Sequence, residues 1–71
     1  MTQEEKMDKL AELFDVDVGT LSADTELSSL AWDSMAILSV IALLKARFNK
    51  KISGNELRAM ETIGDLLDVM V

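Results

Sequence analysis

The sequence predicts an all-α fold, a small bundle of three main helices plus one short helix in a single domain spanning residues 1–71. Three segments repeat apolar residues with the period of a helix that buries one face. No segment alternates polar and apolar residues over a convincing length, as a half-buried strand does. With 49% hydrophobic and 28% charged residues, the chain is expected to fold around one small core.

The first helix is predicted to begin after Thr2, because Glu5 follows this threonine at the spacing of a capping box. Its apolar stripe consists of Met7, Leu10, Ala11 and Phe14. The segment 15–32 is rich in Asp, Ser, Thr and Gly, and we interpret it as a long ordered loop, a feature that is uncommon unless functional. The apolar residues expected to attach it to the core are Val16, Val18, Leu21, Leu27 and Leu30.

The second helix is predicted to start at Asp33, a good N-cap residue. Trp32 directly precedes this cap and is expected to pack on Ile37 as a hydrophobic staple. The helix is expected to end near Asn49 and the basic pair that follows it, which suit a helix C-terminus. Its core stripe consists of Ile37, Val40, Ile41, Leu44 and Phe48.

Two further helices are predicted in the last third of the chain. A short helix should follow Ser53, where Glu56 completes the spacing of a second capping box, with Leu57 and Met60 facing inward. Thr62 should open the last helix. The apolar stripe of that helix consists of Ile63, Leu66, Leu67 and Met70.

Composition excludes several classes of function. The chain has no cysteine and no histidine, so thiolate nucleophiles, zinc–thiolate sites and imidazole bases are absent. The net charge of −6 argues against nucleic acid and favours protein partners that carry basic patches. The longest apolar stretch, 35–44, is too short to span a bilayer, and the residues after Met1 do not resemble a signal peptide. We therefore expect a cytoplasmic monomer without membrane insertion.

One acidic segment resembles a calcium-binding loop. Asp15, Asp17 and Glu26 fall near the ligand positions of an EF-hand, but Gly19 stands one position before the required sharp turn. We therefore expect no metal site here.

The second helix carries a second apolar stripe beside its core stripe, formed by Met35, Leu38 and Ala42. A helix in so small a chain cannot bury both faces, and an exposed apolar patch usually marks a partner site. We favour a partner surface formed by these residues together with Trp32. The alternative is that the preceding loop or the short helix covers them.

Ser34 is the best-placed serine for carrying a phosphate ester. It lies in the first turn of the second helix, where backbone N–H groups lack partners and the helix dipole favours an anion. This argument ranks Ser34 above Ser28, Ser29 and Ser39, although an ordinary serine near a helix start fits the same pattern.

The run Leu30-Ala31-Trp32-Asp33-Ser34-Met35 resembles the Asp-Ser-Leu phosphopantetheine attachment motif of acyl carrier proteins. The order and spacing of the predicted helices resemble that family over nearly the whole chain, so the resemblance implies an acyl-carrier-protein-like bundle. It also implies that Ser34 is esterified with 4′-phosphopantetheine, taken from coenzyme A by a phosphopantetheinyl transferase, and that Asp33 helps present Ser34 to that enzyme. Acyl-loading and acyl-processing enzymes would be the other partners of such a non-catalytic carrier, whose core could shelter an acyl chain.

The sequence departs from the pattern of carriers in fatty-acid synthesis, which have several acidic residues along the second helix. Met35 replaces the usual Leu, as in D-alanyl carrier proteins, and Trp32 follows Ala31 where a Gly is usual. We therefore expect a specialised carrier in fatty-acid, polyketide or related biosynthesis, with a D-alanyl or peptidyl-type carrier or an unmodified helical interaction module as alternatives. The positions that match the acids are Ala36, Ser39, Lys45, Ala46 and Arg47.

Overall fold

The computed structural model describes residues 1–71 and confirms the all-α prediction of three longer helices and one short helix, without a β-strand. None of the helices is long and apolar enough to cross a membrane. The helices are α1 (Gln3–Phe14), α2 (Ser34–Phe48), α3 (Gly54–Arg58) and α4 (Ile63–Val69).

The helix termini follow from side chains that satisfy free backbone groups. Thr2 and Glu5 form the predicted capping box at the start of α1. Asn49 ends α2 in the left-handed conformation with φ 52°, which asparagine tolerates better than most residues. The predicted box at α3 forms only in part: Ser53 Oγ accepts from the Glu56 N–H, but the Glu56 carboxylate contacts the Ser53 hydroxyl instead of its backbone N–H.

The core consists of thirteen buried residues, all of them apolar, and no polar or charged residue is buried. Helix α2 packs against both α1 and α3 and supplies Ile37, Val40 and Leu44 to this core. None of the core residues lines a surface cleft. The core residues are Leu10, Ala11, Phe14, Leu21, Leu27, Ile37, Val40, Leu44, Leu57, Ile63, Leu66, Leu67 and Met70.

The segment between α1 and α2 contains two 3₁₀ turns, Val18–Thr20 and Leu27–Ser29. Of its predicted anchors, Leu21 and Leu27 are buried. The prediction for Val18 is wrong: its side chain is 43% exposed, because it lies in the first 3₁₀ turn, whose three residues are all exposed. Val16 before this turn and Leu21 after it contact the core instead. The remaining anchors, Val16 and Leu30, are half-buried against the core.

Backbone hydrogen bonds attach this segment to the start of α4. Leu27 N–H donates to the Glu61 carbonyl over 2.8 Å, and Ile63 N–H donates to the Thr25 carbonyl over 2.9 Å. Gly64 N–H donates to the Ala23 carbonyl, also over 2.9 Å. A side chain at position 64 would bring its Cβ within 3.1 Å of this carbonyl oxygen, so glycine permits the close approach. The long loop is therefore fixed on the side of the molecule where α3 leads into α4.

Candidate functional site

The start of α2 has the geometry predicted from the sequence. Asp33 has an extended backbone, with φ −111° and ψ −175°, and its carboxylate accepts a hydrogen bond of 3.0 Å from the Ala36 N–H. Ser34 is therefore the first residue of the helix. At this position the helix has free N–H groups and the positive end of its dipole.

The hydroxyl of Ser34 is exposed and contacts an arginine from another helix. Arg58, the last residue of α3, donates a hydrogen bond from Nη2 to Ser34 Oγ over 3.2 Å. The guanidinium forms no ion pair, since the one salt bridge of the structure joins Lys9 to Glu12. Arg58 was not predicted from the sequence, because it lies 24 residues from Ser34 and belongs to no motif.

These contacts limit what the Ser34 hydroxyl can do by itself. Its one hydrogen-bond partner is a guanidinium, which has no acceptor and does not deprotonate in proteins. The neighbouring Asp33 carboxylate instead caps the helix. The arrangement therefore fits a hydroxyl that another enzyme modifies, with helix N–H groups and one cation suited to a phosphate ester.

Arg58, which contacts the Ser34 hydroxyl, also lines a surface cleft of about 480 Å³. Trp32 also lines it; the indole is half-buried and packs on Phe14, with ring centroids 5.9 Å apart and an angle of 48° between the rings. The predicted staple between Trp32 and Ile37 stays a prediction. The indole Nε1 is buried without a hydrogen-bond partner. The other lining residues are Glu26, Ser28, Leu30, Met60, Glu61 and Thr62.

The second apolar stripe of α2 is exposed, which rules out the alternative that the loop or α3 covers it. Met35 is 77% exposed and Leu38 is 63% exposed, and Ala42 is also exposed. Leu38 lies one turn after Ser34 on the same side of the helix. The exposed apolar face is therefore continuous with the hydroxyl.

Comparison with known protein families agrees with this geometry. Residues 7–70 match the family model described as a phosphopantetheine attachment site. The chain belongs to this family. The resemblance to acyl carrier proteins that the sequence predicted is confirmed. No curated protein and no solved structure matches the chain significantly.

Membership of this family assigns a prosthetic group and a general role. The cofactor is 4′-phosphopantetheine, attached covalently, and the protein is a phosphopantetheine carrier. Carrier domains of the family are generally non-catalytic and interact with modifying and processing enzymes. The start of α2 fits this group, because it offers an exposed hydroxyl together with donors for the phosphate oxygens.

Proposed function

We propose that Ser34 carries the phosphopantetheine arm and that acyl or aminoacyl groups are held on it as thioesters. The observation that carries this proposal is the exposed Ser34 hydroxyl at the start of α2, in contact with Arg58. Two competing serines use their hydroxyl protons elsewhere: Ser29 donates to the Glu26 carbonyl, and Ser39 donates to the Met35 carbonyl.

The modification forms one bond and breaks another. Ser34 Oγ bonds to the phosphorus that bears pantetheine in coenzyme A, while the phosphoanhydride bond to adenosine bisphosphate breaks. The hydroxyl proton leaves to a base on the transferase, since no acceptor in this chain contacts it. Asp33 presents Ser34 by capping α2 and so holding the hydroxyl at the exposed end of the helix.

Partner enzymes dock on the exposed apolar face formed by Met35, Leu38 and Ala42, with Trp32 at its edge. Helix α2 contains no aspartate or glutamate, so apolar contact contributes more to recognition than charge does. This composition supports a specialised carrier in fatty-acid, polyketide or related biosynthesis. A D-alanyl or peptidyl-type carrier is the second candidate, because Asp33 and Ser34 are followed by Met35.

Intact mass after incubation with coenzyme A and a broad-specificity phosphopantetheinyl transferase tests the site. Wild type should gain one phosphopantetheine, Ser34→Ala should gain none, and the control Ser39→Ala should behave as wild type. A wild type that stays unmodified would contradict the carrier role and favour a helical interaction module. A modified Ser34→Ala protein would show that the attachment residue is wrong.

The docking surface is tested by the initial rate of the same modification. Leu38→Ser removes an exposed apolar side chain from α2, and Val18→Ser removes one from the loop as a matched control. Leu38→Ser should slow modification several-fold, whereas Val18→Ser should not. Both substitutions should change the free energy of unfolding by no more than about 0.5 kcal/mol, because both side chains are exposed. Equal rates for the two variants would contradict docking on this face.

The specialisation is tested by acyl transfer with the general enzymes of bacterial fatty-acid synthesis. The carrier should be a poor substrate compared with the housekeeping carrier of the same bacterium. Equal turnover would contradict the specialised role.

A further inference from the structure

The contact between Arg58 and Ser34 joins two helices that no sequence motif relates. Arg58 ends α3, and its Nη2 reaches Ser34 Oγ over 3.2 Å. A guanidinium has five N–H donors in a planar fork that matches two oxygens of a phosphate. A single neutral hydroxyl uses only part of this capacity, and no carboxylate lies within ion-pair distance of the side chain.

Ser34 lies in an acidic part of the molecule, where an added anion is destabilised unless a cation is close to it. The chain has a net charge of −6, and Asp33 adjoins Ser34 in the sequence. Glu26 and Glu61 line the cleft that Arg58 also lines. A phosphodiester on Ser34 adds a further negative charge to this acidic region, and like charges repel unless a cation lies between them.

Arg58 is the cation that lies close enough to Ser34 to offset this negative charge. A basic cluster at the opposite end of α2 lies about 20 Å from Ser34 along the helix axis, at about 1.5 Å per residue. At that distance, solvent and salt screen most of its effect. The members of this cluster are Lys45, Arg47, Lys50 and Lys51.

We propose that Arg58 binds the phosphodiester formed on Ser34 and so holds the start of the phosphopantetheine arm at the mouth of the cleft lined by Trp32. This inference rests on the proposed modification of Ser34. Arg58 already contacts the oxygen that becomes the ester oxygen, so a small movement of the guanidinium brings it onto the phosphate. Arg58 is a positioning residue, because it directs the arm and takes no part in forming the thioester.

The experiment compares fully modified wild type with modified Arg58→Gln, Arg58→Lys and Arg47→Gln. Arg47→Gln removes the same charge from the far end of α2 and is the matched control. Complete modification is first verified by intact mass. The phosphorus-31 NMR resonance of the phosphodiester and the fluorescence of Trp32, the only tryptophan of the chain, are then recorded at low and high salt.

Arg58→Gln should shift the phosphorus resonance and remove most of its dependence on salt, while Arg47→Gln should leave both as in wild type. Arg58→Lys should give an intermediate resonance, since it keeps the charge but loses the planar fork. The change of Trp32 emission on modification should be smaller in Arg58→Gln than in wild type. Modification should also raise the melting temperature of wild type by about 1–5 °C relative to Arg58→Gln, as expected for an exposed charge pair.

The outcomes separate the inference from the proposed function. If wild type is not modified at Ser34, the proposed function fails and the inference fails with it. If modification proceeds but the phosphorus resonance is the same in wild type and Arg58→Gln, the inference alone is overturned. Equal shifts in Arg58→Gln and Arg47→Gln would also overturn it, because they would indicate a general effect of net charge.

Discussion

Helices α2 and α4 each begin after a side chain that caps the helix, but their first turns differ in how they satisfy their backbone N–H groups. At α4, Thr62 Oγ1 accepts from the Asp65 N–H over 3.3 Å. The Asp65 carboxylate in turn accepts from the Thr62 N–H over 3.1 Å and from the Glu61 N–H over 2.8 Å. The helix start is thus closed by its own carboxylate, which also complements the positive end of the dipole.

At α2, the cap is present, but no side chain of the first turn accepts a hydrogen bond from the backbone N–H of the cap residue. The Asp33 carboxylate accepts a hydrogen bond from the Ala36 N–H, but the methyl group of Ala36 cannot accept one from the Asp33 N–H in return. The first turn of α2 contains no acidic residue. The difference teaches that a closed helix start serves stability, whereas an open one keeps its N–H groups and dipole available for the phosphate that we propose on Ser34.

The largest effect is expected where the helix start is closed. Thr62→Ala should lower the free energy of unfolding by about 1–2 kcal/mol, because it removes the cap oxygen and loosens the hold of Asp65 on the backbone. The loss should be the same before and after phosphopantetheine is attached, because Thr62 lines the cleft but forms no hydrogen bond with Ser34 or Arg58. Urea unfolding followed by circular dichroism measures both values. A loss that depends on modification would show that the two helix starts are coupled.

Asp33→Ala should cost about 1 kcal/mol in the unmodified protein, as for a typical N-cap. In the modified protein the cost should fall to less than half, because phosphate oxygens can accept the freed N–H and a neighbouring negative charge is gone. Asp33→Ser keeps a capping oxygen without the charge and separates these two causes. Each variant is incubated with coenzyme A and the transferase until intact mass shows complete modification, and urea unfolding then measures the cost in both forms. An equal cost in both forms would contradict the distinction between open and closed helix starts.

Much of the fold was predictable because its signals are local. The caps Thr2, Asp33 and Thr62 each precede an apolar stripe of helical period, and all three lie where the sequence predicted. Val18 was predicted wrongly because an apolar residue in a loop has no period to indicate its direction, and a 3₁₀ turn exposes it. The bonds between the loop and Gly64 were not predicted, since backbone pairing between distant segments leaves no side-chain signature.

Only the part of the candidate site that lies on α2 was predictable from the sequence. Ser34 and the exposed face with Leu38 follow from the position of the helix start and from the excess of apolar residues on α2. Arg58 and the cleft were not predicted, because they depend on how α3 is placed against α2. A basic residue at the end of a short helix also has an ordinary local explanation, the negative end of the helix dipole.

Ala36→Asp should close the start of α2 and thereby convert it to the type seen at α4. In the unmodified protein the new carboxylate should stabilise the fold by about 0.3–1 kcal/mol through the helix dipole. In the modified protein this gain should disappear, because the carboxylate and the phosphate repel each other. Ala36→Asn is the control for side-chain size. Unfolding in urea tests both forms, and an equal gain in the two would contradict a phosphate at this end of the helix.

The smallest effect concerns acid. Hydrogen bonds from the backbone N–H groups of Glu61 and Thr62 lower the pKa of Asp65, and the Thr2 backbone and side chain lower the pKa of Glu5. A carboxyl group with a lowered pKa in the folded state stabilises the fold above its unfolded pKa, and this contribution is lost as the pH falls through the folded value. Stability should therefore decline below about pH 4.5. Asp65→Asn should make this decline shallower, while Asp68→Asn, on the same helix but outside its first turn, should leave the decline unchanged. Melting temperatures between about pH 2 and 7 measure the slopes, and equal slopes for the two variants would contradict a role for the closed start of α4 in acid sensitivity.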